Sequence, residues 1–355
     1  MKEILLVHQF GLPHVSGLTV TMAELARLVP EVSADIGASA LSFDRFASPA
    51  ELVSTLARDH SDTTCVLGLN LHIEVSWDFT LALASWCGRT GKPLFVHVHD
   101  YWPHHREAAA ELVERFGARL LAITPAIASD LEAHGFAPDL LPAGVAVPPQ
   151  PRPPSSRPDG SATVGAVGRA TPRKRLPDVA AAFCMANLHA GTRLHLLVPP
   201  SLVFSIDQDR ERIDEIRRAA GSCRCPSAVR LDPTPRNGTD YTAWAVYVSA
   251  SEYEGLSMTP LEAVLDGCPI VLSDIPPHRR IVEALFPDHP LELLFPVGDR
   301  RALADLLEDE LATGRRRQEV TARRVELHAL IERDWSLLGT ARRLAQLVRP
   351  ELIPE

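Results

Sequence analysis

The chain has 355 residues, 46% of them hydrophobic and 23% charged, with a formal net charge of −9. That length suits two domains, the composition is ordinary for a soluble globular protein, and no apolar run reaches the roughly 18 residues that a membrane span needs. The first 150 residues hold 9 Lys and Arg against 17 Asp and Glu, a balance of −8, and the remainder holds 27 against 28. An acidic first half argues against nucleic acid and anionic lipid as its partners and suits a neutral or cationic small molecule, although acidity also serves solubility alone.

The N-terminal MKEILLVHQF has one Lys, one Glu and a short apolar run, so it reads as a buried first strand and not as a signal peptide. His14-Val-Ser-Gly-Leu-Thr-Val-Thr-Met-Ala-Glu24 follows as a loop that opens a helix, and Gly17 lets the backbone approach a ligand. Apolar runs at 4–8, 64–68, 94–98 and 120–124 predict buried parallel strands, and the patterns at 19–28, 79–89, 106–116 and 126–134 predict the helices between them. Strand 94–98 runs directly into His99 and Asp100 and then two aromatics, Tyr101 and Trp102. A histidine beside an acid at a strand tip fits a proton shuttle, a donor to a sugar hydroxyl or a core residue, and His97 reads as structural.

Pro148 to Gly160 is rich in Pro and Ser and has no apolar face, which predicts a stiff linker. A second strand and helix series begins after it, with strands at 162–167, 194–198, 245–249 and 270–272 and a helix at 178–188, and a basic helical pattern closes the chain at 315–348. Alternating strands and helices predict α/β architecture with parallel sheets, hence two doubly wound domains meeting near residue 150 with a ligand cleft between the carboxyl ends of their strands.

Within the second series, strand 162–167 ends at Gly168, and Arg169, Arg173, Lys174 and Arg175 follow within seven residues. Such a cation cluster suits a diphosphate, and Gly165-x-x-Gly168 is not a dinucleotide fingerprint. Asp207-Gln-Asp209 lies in a polar helical run and is not read as a metal site. Cysteines 65, 87, 184, 223, 225 and 268 show no disulfide framework. Cys223-Arg-Cys225, the one close pair, has no zinc-spaced partner, so no metal is expected and a reducing cytoplasm fits.

Ser251 to Pro269, SEYEGLSMTPLEAVLDGCP, places Glu254 in a loop and Glu262 in a helix. Thr259 reads as the N-cap, Pro260 as the first helical residue, Glu262 as the far side of a capping box, and Gly267-Cys-Pro269 as the stop. The backbone of Gly255, Leu256, Ser257, Met258 and Thr259 then meets the positive end of the helix, a natural phosphate site.

In this order, the segments resemble family 4 retaining glycosyltransferases of GT-B fold. Glu254-Gly through Thr-Pro-Leu-Glu262-Ala resembles that family's paired glutamates, and Val167-Gly-Arg169 with Lys174 resembles its diphosphate pair. Val98-His-Asp-Tyr-Trp-Pro103 resembles its acceptor-side histidine motif, Ser16-Gly17 its glycine loop, Leu141-Pro-Ala-Gly-Val145 the turn before its linker, and 331–336 with the last helix its returning C-terminal segment. The resemblance implies two Rossmann-like domains, 1–150 for the acceptor and 151–330 for the nucleotide-sugar, facing a central cleft, with 331–355 crossing back to the first domain. It implies that Arg169 and Lys174 bind the donor diphosphate, Glu262 the ribose, and Glu254 and His99 the donor sugar. Gly17 would lie near the β-phosphate, and His14, Ser16, Asp100, Tyr101 and Trp102 on the acceptor side. The implied reaction is metal-independent transfer with retention, from a UDP-sugar to a soluble small molecule such as a sugar, a cyclitol or a natural-product aglycone. A phosphorylase, a sugar-nucleotide epimerase or a silent donor-binding subunit are the alternatives. Lys174 is followed by Arg175 where the family has Gly, Ala143 stands for Asn, and the base-binding region 231–241 is atypical, which leaves the base open.

Overall fold

The computed structural model describes residues 2–9, 17–71, 73, 76–100, 105–152, 162–199, 206–221, 223, 228–233 and 239–352, with the backbone alone at 17–18, 206–209 and 350–352. The chain divides into two units, one of Met1–Ala146 with Arg333–Glu355 and one of Val147–Glu332.

The first unit is built on strands β1 (Lys2–His8), β2 (Ile36–Ser42), β3 (Thr63–Leu69), β4 (Leu94–Val98), β5 (Arg119–Ala122) and β6 (Asp139–Leu140), all parallel, in the order β2-β1-β3-β4-β5-β6. Ile4, Leu5, Leu6 and Val7 are all 0% exposed. Consecutive apolar residues can all be buried only where both faces of a strand are covered, and this is why β1 reads as an unbroken run. Helices α1 (Gly17–Val32), α2 (Pro49–Asp59), α3 (Trp77–Thr90), α4 (Arg106–Phe116) and α5 (Pro125–Ala133) make the crossovers. The hydroxyls of Ser48 and Thr124 accept from the amides of Glu51 and Ile127, with Pro at the first helical position in both cases. Gly91 and Gly117, with φ of 66° and 67°, end α3 and α4.

The second unit contains β7 (Thr163–Val167), α6 (Leu176–Met185), β8 (Arg193–Leu197), α7 (Ile206–Ala220), β9 (Val229–Asp232), β10 (Val246–Ser249), α8 (Met258–Leu265), β11 (Ile270–Ser273), α9 (Pro276–Leu285), β12 (Leu294–Phe295), α10 (Arg300–Thr313) and α11 (Arg315–Ala322). Its parallel sheet has the order β12-β11-β10-β7-β8-β9. Trp244 lies on β7 at Gly165, where a Cβ would sit 1.9 Å from the indole ring, so this strand position has to be glycine.

Helix α12 (Arg324–Trp335) leads to α13 (Leu337–Leu352), and α13 belongs to the first unit. Its Leu337, Ala341, Leu344, Ala345 and Val348 join Met22, Leu25, Leu28 and Val29 in one core. The joint is a backbone seam: the Val145 amide donates to the Trp335 carbonyl at 2.7 Å and the Leu337 amide to the Val145 carbonyl at 2.9 Å. A Cβ on Gly144 would lie 2.5 Å from the backbone of Trp335 and Ser336, so the glycine of the Leu141–Val145 turn makes that seam possible.

Four features differ from the sequence reading. Strands β2, β6, β9 and β12 and helices α2, α9 and α10 add to the predicted set. The single helical pattern at 315–348 is three helices, interrupted at Arg323 and at Ser336, where the seam with Val145 takes the backbone. The cysteines are not all unpaired, because Cys184 of α6 and Cys223 after α7 form a disulfide. The two are 39 residues apart, and packing of α6 against α7, not local spacing, brings them together. Third among the cysteines of that region, Cys225 lies outside the described residues. The fourth difference concerns the start of α8 and is taken up with the site.

Candidate functional site

Strands β7 and β10 are neighbours, yet the chain runs from β7 outward to β8 and β9 and returns to β10 before running the other way. The two loops leaving the carboxyl ends of β7 and β10 therefore diverge at a switch point, where open α/β sheets bind ligands. One loop carries Arg169, Arg173 and Lys174, and the other carries Glu254. They are stitched together by the Glu252 amide, which donates to the Arg173 carbonyl at 2.9 Å.

Lys174 and Glu254 form an ion pair, and Arg173 Nη1 lies 3.6 Å from the other carboxylate oxygen. The Lys174 stem crosses Gly168, where a Cβ would stand 3.3 Å from Lys174 Cγ. Ser251 Oγ donates to Glu254 Oε1 at 2.7 Å. The Glu254 side chain is only 7% exposed. Burial alone would raise its pKa, but the Lys174 and Arg173 cations overcome that and hold it at about 2. Burial lowers the pKa of Lys174, against the pull of Glu254. Arg175, counted with the cluster in the sequence, turns elsewhere: its backbone is left-handed at φ 48°, and it pairs with Asp178 at 2.6 Å and Glu252 at 3.3 Å.

The capping box expected at the start of α8 does not form. The helix begins at Met258 with Ser257 as N-cap, and the Ser257 side chain makes no capping hydrogen bond. Thr259 lies inside the helix, where its hydroxyl accepts from Tyr247 at 2.7 Å, and Glu262 accepts from the Tyr241 hydroxyl at 2.9 Å. Ser257 is held by buried His278. The imidazole Nδ1 faces the Ser273 carbonyl at 2.8 Å, which can only accept, so Nδ1 carries the proton and Nε2 accepts from Ser257 Oγ at 3.0 Å. Burial lowers the pKa of His278 to about 4, which keeps it neutral. The cap residue is thus turned to His278 and its hydroxyl does not cap the helix.

In the first unit, the equivalent switch point lies between β1 and β3. Asn70, just after β3, takes the left-handed conformation at φ 55°. Its amide donates to the His97 carbonyl at 2.9 Å, and its Oδ1 accepts from the His99 amide at 2.7 Å. Asp100 N lies 3.4 Å from the same oxygen. His97 is the structural residue that the sequence suggests. It is fully buried, and burial lowers its pKa to about 4. Its Nε2 donates to the Leu141 carbonyl at 2.8 Å, so its Nδ1 accepts from His99 Nε2 at 3.0 Å. Residues 97 and 99 share one side of the strand, and this contact sets the His99 tautomer with the proton on Nε2. Gly17 opens α1. His14, Ser16, Tyr101 and Trp102 lie outside the described residues.

The structure thus brings Lys174 and Glu254 together and places Arg169 near them, since Arg169 acts electrostatically on Lys174. It sets Glu262 one helical turn into α8. Sequence reasoning missed Ser251, His278, Tyr241, Asn70 and the role of His97. His278, Tyr241 and Asn70 are 21 to 29 residues from their partners, whereas Ser251 and His97 lie within three residues of theirs; only the position of Asn70 at a predicted strand end offered a signal. Among the described residues, no group of three or more His, Cys, Asp or Glu could hold a metal ion.

No protein-family model and no curated protein sequence matches the chain. Solved structures match over its length. Sucrose-phosphate synthase from Thermosynechococcus elongatus is similar at 14% identity and a TM-score of 0.73, covering 99% of each chain. HepE from Anabaena in complex with UDP is similar at 13% identity and 0.69, over 98% of this chain and 99% of that one. An α,α-trehalose-phosphate synthase (UDP-forming) from Burkholderia vietnamiensis is similar at 14% and 0.67, over 99% of this chain and 97% of that one. At these identities the likeness establishes the fold, and the fold is GT-B.

Proposed function

We propose that the protein is a metal-independent, retaining glycosyltransferase that moves a sugar from a UDP-sugar to a hydroxyl of a soluble small molecule. One observation carries the reading: Lys174 and Arg173 meet Glu254 at the switch point of the second sheet, beside the start of the helix that bears Glu262. Cations and a helix terminus suit a diphosphate, and carboxylates on either side suit the hydroxyls of a sugar and a ribose. The GT-B fold agrees with this use, and of the similar structures one is a complex with UDP and another is a UDP-forming synthase, which favours uridine as the base. The acidic balance of the first 150 residues favours a soluble acceptor over a lipid.

In this reading, the acceptor oxygen bonds to the anomeric carbon as the bond from that carbon to the β-phosphate oxygen breaks. The acceptor proton passes to a phosphate oxygen on the same face, and the configuration is retained. Arg169, Lys174 and the start of α8 stabilise the charge that develops on the leaving diphosphate. Glu254 orients the sugar, Glu262 the ribose, and His99 the reacting region, with Gly17 near the β-phosphate and Asp100 on the acceptor side.

The test is thermal stability of the wild type and Glu262→Ala with UDP, GDP, ADP, TDP and their sugars. A ligand that binds the folded state raises stability by mass action. A rise with uridine nucleotides that shrinks in Glu262→Ala is expected. No rise with any nucleotide would overturn the reading.

A further inference from the structure

We infer that Glu254 is a built-in counter-ion of the diphosphate site, which admits a sugar nucleotide and works against retention of the free nucleoside diphosphate. The inference rests on the proposed function and assigns Glu254 a second task within it.

Two of the three cations on the β7 loop are already matched by a carboxylate. Lys174 contacts one oxygen of Glu254, and Arg173 lies 3.6 Å from the other. Ser251 fixes the first oxygen at 2.7 Å, and the bond from the Glu252 amide to the Arg173 carbonyl at 2.9 Å holds the two loops in register. The pair is therefore a fixed feature of the site and not a chance contact of long side chains. A diphosphate that takes Lys174 and Arg173 must take them from Glu254. A buried carboxylate stripped of its partners is costly unless new donors replace them.

The two ligands differ at this step. A sugar nucleotide brings sugar hydroxyls, which can donate to the released carboxylate. A free nucleoside diphosphate lacks the transferred sugar's hydroxyls and keeps only those of the ribose, which Glu262 takes, and its terminal phosphate carries roughly one further negative charge near pH 7. It competes with Glu254 for the same cations and offers it nothing. Transfer of the sugar thus removes the groups that satisfied Glu254, and the carboxylate returns to Lys174 as the diphosphate leaves.

The test is calorimetric binding of UDP, GDP, ADP, TDP and inorganic pyrophosphate to the full chain as wild type, Glu254→Gln and Glu254→Asp. Glu254→Gln is expected to bind the matching nucleoside diphosphate and pyrophosphate at least tenfold more tightly than the wild type, a gain of about 1.4 kcal/mol. Glu254→Asp keeps the charge on a shorter stem and is expected to fall between them, and it serves as the readout if Glu254→Gln does not fold. Wild-type binding that neither variant strengthens would overturn the counter-ion role and leave the proposed function standing. No binding of any of these anions by any form would overturn the diphosphate site, and this inference with it.

Discussion

Lys174→Met removes one charge from the site and keeps the stem that lies across Gly168. In the folded protein Glu254 is held at about 2, against an ordinary 4.5. A shift of that size corresponds to about 3 kcal/mol of stability. Its sign follows from the depressed pKa: the contribution is complete above about 4.5 and is lost as pH falls towards about 2. Arg173 at 3.6 Å and Ser251 at 2.7 Å remain in the variant, so the loss at pH 7 should be about 2 kcal/mol. Urea denaturation at pH 7 and pH 4 reads both effects, with a melting temperature lower by roughly 4–8 °C for a unit of this size as a second measure. Between pH 4.5 and 3 the variant should lose less further stability than the wild type, because its carboxylate is no longer held so far down. A variant as stable as the wild type at pH 7, with the same acid profile, would refute the claim that Lys174 is the main partner of Glu254.

Other outcomes follow from single contacts. Tyr241→Phe removes the hydroxyl that donates to Glu262 at 2.9 Å, and donor KM should rise about threefold to tenfold with kcat little changed, measured by initial rates. Gly165→Ala places a methyl group into the Trp244 ring and should destabilise the second unit by about 1–3 kcal/mol or more, read by urea denaturation and by the near-ultraviolet signal of Trp244. Reduction of the Cys184–Cys223 bridge opens a loop closed over 39 residues and should cost about 3–4 kcal/mol, seen as a lower melting temperature in dithiothreitol that Cys184→Ser with Cys223→Ser reproduces without reductant. His97→Gln should change the His99 tautomer in nitrogen-resolved NMR spectra, an effect that loss of packing alone would not give.

What could be read from the sequence depended on whether a signal is local. Residues 4–8 and 94–98 announce themselves because a parallel strand buried on both faces is an unbroken apolar run. Strand β2, IGASALS, is an edge strand with small and polar residues and half-buried positions, and it gives no such run. Two-residue strands such as β12 are defined only by their neighbour. The same division holds in the site. Arg169 to Lys174 follow a strand end as a run of cations, and Glu254 and Glu262 bracket a loop that enters a helix, so their chemistry shows locally. The capping box was misread because Thr-Pro-Leu-Glu satisfies the local rule, while Tyr247 and Tyr241 claim the hydroxyl and the carboxylate from elsewhere in the fold.

The partners that decide how the site works are non-local: Lys174 and Glu254 are 80 residues apart, and Ser257 and His278 are 21 apart. Topology explains why these pairs meet. Both sheets reverse direction beside their first strand, β1 against β3 and β7 against β10. In the second unit, the loops on either side of that reversal supply the groups that fix one another, Arg173 and Lys174 with Glu254; in the first, Asn70 after β3 fixes His99 after the adjacent β4. A substitution that kept every local motif but moved β10 away from β7 would leave the cation cluster and both glutamates legible in the sequence and would abolish the Lys174–Glu254 pair.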